Sequence, residues 1–75
     1  MFNKLNFEAL QLSESLEIQL KDYLINSHQE NKIVSINQLQ NELSIGFTRA
    51  MIIKRYLIET NVVNDKGEIL INPNN

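Results

Sequence analysis

The stretch that most constrains this chain is residues 35–50, SINQLQNELSIGFTRA. Ser35 followed by Gln38 three residues later is a capping-box pattern. The serine hydroxyl can accept from the Gln38 amide while the glutamine side chain bonds back, so a helix is predicted to start at Ile36. Ile36, Leu39 and Leu43 then recur at helical spacing as a narrow core stripe. Ser44-Ile45-Gly46 reads as a tight turn, in which Gly46 permits a positive φ or a close helix–helix approach. Beyond it Gly46, Ala50, Ile53 and Leu57 share one face of a further helix over 47–60. Two short helices across a glycine turn make a helix-turn-helix, and the rest of the chain reads as its packing partners.

Upstream, Ser13 is a plausible N-cap, with Glu14 and Glu17 at the favourable positive end of a helix over 14–27. Leu16, Leu20, Tyr23 and Leu24 give that helix its apolar face. His28 stands at its end; alone of its kind, it reads as a solvated terminal residue. Residues 1–12 have no clean period. Their five large apolar residues, including Phe2, Leu5 and Phe7, fit either an arm laid on the domain surface or a homodimerisation arm. Lys32-Ile33-Val34 is β-branched enough for a three-residue strand. Downstream, Val62-Val63 and residues 68–71 flank Asn64-Asp65-Lys66-Gly67, a turn in which Gly67 can be left-handed. The predicted class is α+β, mostly helical: a winged helix-turn-helix of three helices plus a C-terminal β-hairpin wing. It spans 13–72, between an N-terminal arm (1–12) and a polar tail (73–75).

Charge bears on partners. The chain has seven bases and nine acids, a net charge of -2. Residues 1–31 carry a net -3 and residues 32–75 a net +1, so any nucleic-acid surface belongs to the second half. Without cysteine there is no thiolate metal site or disulfide. One histidine, no Gly-rich phosphate loop and no paired carboxylates point to a non-enzymatic protein without a cofactor. No apolar run approaches the ~20 residues of a membrane span, and no secretory signal is visible, so a cytoplasmic location is expected.

Residues 35–64 resemble the gamma domain of FtsK-type bacterial DNA translocases. Ser35, Ile36, Leu39, Gln40, Ile45, Gly46, Arg49 and Ala50 match its pattern, Phe47 replaces the aromatic Tyr, and Val62 and Val63 match the start of its wing. Asn41 and Ile52 stand where that family usually has arginine, Met51 replaces its second alanine, and Asn61 replaces the glycine before the wing. No G-x-x-x-x-G-K-[ST] motif of an ATPase motor occurs, so the likeness is to a free-standing gamma-like domain. The resemblance implies a winged helix that binds a short DNA element and can contact a site-specific recombinase; with the helix-turn-helix, the wing and Arg49, the expected partner is DNA, duplex rather than single-stranded, in bacterial or mobile-element DNA metabolism.

The candidate DNA contacts follow from helix phase and this likeness. Thr48 and Arg49 lie at the start of the third helix, where a reading helix meets base edges. Gln38, Asn41, Arg55 and Lys66 are placed to hold the backbone. For Arg49 the alternative is a surface salt bridge to Glu42 or Glu59. Ile52 and Tyr56 fit a reading helix poorly. They either pack under the wing or arm, form a patch for a protein partner such as a recombinase or replication factor, or, for Tyr56, stack a single-stranded base.

Overall fold

The computed structural model describes Phe7 and residues 10–71. Three α-helices follow in order: α1 (Glu14–Gln29), α2 (Ile36–Leu43) and α3 (Phe47–Glu59). Serine side chains start the first two. Ser13 Oγ accepts from the Leu16 amide at 3.2 Å, and Ser35 Oγ from the Gln38 amide at 3.1 Å. The reciprocal half of the predicted capping box is absent. Gln38 Oε1 instead accepts from the Tyr23 hydroxyl at 2.8 Å, fastening α2 to α1.

The glycine expectation at the α2–α3 turn needs correcting. Ser44, the C-cap of α2, takes the left-handed conformation (φ 53°, ψ 49°). Gly46 has an ordinary φ of -77° as the α3 N-cap, and a Cβ built on it would meet nothing within 4 Å. Asn61 turns the chain beyond α3 with a φ of 62°. Asparagine tolerates that region better than most residues, as glycine does.

α2 packs against α3, and α1 against α2. Leu20 and Leu24 from α1, Leu39 and Leu43 from α2, and Ala50, Ile53 and Leu57 from α3 are buried together. Phe7, only 2% exposed, joins them from upstream of α1. Its ring lies 6.2 Å from that of Tyr56, with Lys21 Nζ 5.9 Å from its centroid. Leu10 and Leu12 also pack, partly buried, against this core, while residues 1–6, 8 and 9 of the proposed dimerisation arm and the polar tail lie outside the described residues.

The fold is not a winged helix: among the described residues there is no strand or sheet, and the predicted hairpin reduces to one isolated antiparallel bridge, Val63 to Ile69. Competition for backbone groups accounts for this. The amides of both Val62 and Val63 donate to the Leu57 carbonyl (2.8 and 3.2 Å), closing the end of α3. The Gly67 carbonyl accepts from the Val34 amide at 2.8 Å, outside any hairpin. Of the backbone–backbone bonds, only Leu70 N–H to Val62 O and Asn64 N–H to Glu68 O cross between the two segments. The predicted strand at 32–34 is likewise not formed: the Val34 amide makes that one bond to the loop, and the Lys32 amide turns back to the Ser27 carbonyl at 2.8 Å.

The turn itself is well defined. Asn64 Oδ1 accepts from the Lys66 and Glu68 amides, and the Gly67 amide reaches the Asn64 carbonyl at 2.9 Å. Gly67 has a φ of 90°, and a Cβ there would collide with the Val34 carbonyl oxygen and Ile33 Cγ2. Val62 and Val63 are fully buried, so the loop covers the core without forming a sheet. Among the described residues no helix is long and apolar enough to cross a membrane.

Candidate nucleic-acid interface

α3 presents the residues the sequence singled out. With Ala50, Ile53 and Leu57 turned inward, a 100° step per residue leaves Thr48, Ile52, Arg55 and Glu59 along the outer ridge, and all four are exposed. Arg49 is exposed on one flank. Neither Glu42 nor Glu59 pairs with it: the ion pairs among the described residues are Lys21–Glu17 (3.7 Å) and Lys32–Glu30 (3.3 Å). Arg49, Lys54, Arg55 and Lys66 therefore present their charges without an ion-pair partner among those residues. Such charges make little net contribution to fold stability and are available to a ligand.

Charge is segregated by element. α3 carries three bases (Arg49, Lys54, Arg55) against one acid (Glu59), while α1 carries three acids (Glu14, Glu17, Asp22) against one base (Lys21). The net charge of -2 hides a basic helix and an acidic one.

The other candidates divide. Asn41 is exposed on α2, and Lys66 is exposed at the tip of the loop that covers the core. That loop adjoins α3: Asp65 lines one shallow depression with Ile36, Met51, Lys54, Arg55 and Ile58. Gln38 is held inward by its bond to Tyr23. Burial raises the Tyr23 phenol above its ordinary value, and the Glu42 charge adds to this; hydrogen bonds from Ser27 and the Ser35 backbone oppose it. The Tyr23–Gln38 contact is structural, and Gln38 is a poor candidate for a phosphate contact.

Ile52 and Tyr56 also part company. Tyr56 is half-buried against Phe7 and the core, as expected of a residue packed under the arm. Ile52 is 51% exposed, so none of the described residues covers it. Two further α3 residues, Phe47 (55% exposed) and Met51, face solvent and were not singled out from the sequence. Their signal was present: Phe47, Met51, Lys54 and Ile58 stand at i, i+4, i+7 and i+11, a second stripe beside the core face.

His28 is half-buried rather than solvated, and its Nδ1 is buried without a hydrogen-bond partner among the described residues. No group of three or more potential metal ligands surrounds it or occurs elsewhere among them. Compared with protein-family models, curated proteins and solved structures, the chain matches none. The functional reading therefore rests on the exposed face of α3 and on the residue pattern of 35–64.

Proposed function

We propose that this protein is a small non-enzymatic DNA-binding module, with an accessory or regulatory role in bacterial or mobile-element DNA metabolism. α2 crosses near the backbone and α3 enters the major groove of duplex DNA. The observation that carries the reading is the outer ridge of α3, where Thr48, Arg49 and Arg55 are exposed at the start and middle of a basic helix and the arginines lack ion-pair partners among the described residues. A helix of 13 residues is about 20 Å long, and the major groove admits it. Thr48 and Arg49 reach base edges or phosphates first. Asn41, Lys54, Arg55 and Lys66 add backbone contacts. The gamma-domain likeness of residues 35–64 supports the same assignment.

The test is fluorescence anisotropy with labelled duplex and single-stranded oligonucleotides over a salt series. Three phosphate contacts from Lys54, Arg55 and Lys66 correspond to a log–log salt slope of about -2.7, and each removed base lowers its magnitude by about 0.9. Arg49→Ala should weaken duplex binding at least about five-fold, within the ~1–3 kcal/mol of a bidentate arginine contact. Undetectable binding to both DNA forms at low salt, or an unchanged affinity for Arg49→Ala, refutes the reading.

A second reading has its own observation. Phe47, Met51 and Ile52 are large, apolar and exposed within the first six residues of α3. Aromatic, Met and Arg side chains are enriched in protein interfaces, so the same face would suit a recombinase, replication or translocase partner. Phe47→Ser with Ile52→Ser probes that surface without disturbing the Tyr56–Phe7 packing. Loss of a purified partner together with retained DNA binding would favour docking.

A further inference from the structure

The outer ridge of α3 has an unusual centre for a DNA-reading helix. Thr48, Ile52 and Arg55 follow at i, i+4 and i+7 on one line, and the middle residue has no donor or acceptor. Ile52 is 51% exposed, so its side chain is not serving the core. At the floor of the major groove an apolar side chain discriminates among bases. Adenine, guanine and cytosine present polar edge atoms that lose water against it without gaining a hydrogen bond. Thymine alone adds a C5-methyl group that an isoleucine can cover.

From this we infer that Ile52 reads the 5-methyl group of a thymine in the target, with Arg49 placing that thymine within a step or two of a guanine. The inference rests on α3 being the DNA-contacting element and names what that element recognises. It also gives the exposed isoleucine a role that requires no second protein. Thr48, one turn nearer the α3 N-terminus on the same line, offers a hydroxyl and a methyl to the adjacent base pair. Arg49, beside Thr48, supplies the guanidinium that pairs bidentately with guanine O6 and N7, while Arg55, three residues beyond Ile52, holds the flanking phosphate.

The test begins with selection of bound sites from a randomised duplex pool by the wild-type protein. Each thymine of the best site is then replaced singly by deoxyuridine, which removes only the methyl group, and Kd is measured by anisotropy at fixed salt. Burial of one methyl corresponds to about four-fold in affinity. One position is therefore expected to weaken about four-fold on demethylation in the wild-type protein. In Ile52→Ala the thymine and deoxyuridine sites should bind within about 1.5-fold of each other. Arg55→Ala should bind both more weakly while keeping their ratio.

Selected sites without thymine, no position sensitive to demethylation, or an unchanged ratio in Ile52→Ala each overturn the inference while leaving DNA binding by α3 in place. Failure to enrich any duplex overturns both together. Because Ile52 is exposed on a helix and alanine is the better helix former, the variant is expected to fold; an unchanged far-UV circular dichroism spectrum checks this.

Discussion

Replacing Gly67 by alanine should be among the most damaging single-methyl changes available in this chain. The glycine has a φ of 90°, which an alanine adopts at a cost of about 1–2 kcal/mol. The new Cβ would point at the Val34 carbonyl oxygen and at Ile33 Cγ2, and one of these contacts is backbone that cannot rotate away. Relieving such overpacking costs about 1–3 kcal/mol. Any shift of the loop also strains the 2.8 Å bond from the Val34 amide to the Gly67 carbonyl, which contributes about 0.5–1.5 kcal/mol. Against this, alanine narrows the unfolded ensemble and returns about 0.4–1 kcal/mol. The net loss is about 1.5–6 kcal/mol, a large part of the roughly 4–11 kcal/mol expected for a domain of this length. With a urea m-value near 1 kcal/mol/M, the unfolding midpoint should fall by about 1.5 M or more. Gly46→Ala is the internal control. That position has an ordinary φ and nothing within 4 Å of a Cβ, so its midpoint should stay within about 0.5 M of wild type. A Gly67→Ala midpoint equally close to wild type, or a larger loss for Gly46→Ala, would refute the reasoning.

Two further outcomes follow from the packing. Phe7→Ala empties a core position that is only 2% exposed and removes the ring beside Tyr56. It should cost about 3–5 kcal/mol and lower Tm by more than about 12 °C in a calorimetric scan; a drop under about 4 °C would show that the residue is dispensable. The folded-state pKa of Tyr23 is raised above 10.0, so the fold favours the neutral phenol. That contribution is fully present below the unfolded value and is lost as pH rises above it through the higher folded value. Urea midpoints for wild type and Tyr23→Phe, compared between about pH 8 and 11, should therefore converge at the alkaline end, and parallel curves would contradict the assignment.

Much of the helical frame was legible because its signals are local. Ser13 and Ser35 cap α1 and α2 through side chains three residues from the amides that donate to them, and Ala50, Ile53 and Leu57 declare the inner face of α3 by spacing alone. The Asn64–Gly67 turn was legible for the same reason. The hairpin was not, because β-branched Val62 and Val63 fit a strand equally well and nothing local reveals that their amides close α3. Gly46 drew attention as the constrained glycine, yet Ser44 adopts the left-handed turn, and Gly67 is constrained by Val34, more than thirty positions away. At the candidate site, the outward phase of Thr48, Ile52 and Arg55 could be read from the helix period. The withdrawal of Gln38 and Tyr56 could not, since their partners Tyr23 and Phe7 lie 15 and 49 residues upstream.

The meeting of Phe7 with Tyr56 also bears on the order in which the protein can be made. A chain leaving the ribosome exposes Phe7, Leu20 and Leu24 well before Tyr56, Val62 and Val63 exist to cover them. α1 and α2 can join early through Tyr23 and Gln38, but the bond from Val34 cannot form until Gly67 has emerged. The apolar face of the nascent chain therefore cannot be fully covered until the loop after α3 is available to close over it. A nascent chain arrested before Gly67 should be the species most exposed to chaperones and proteases.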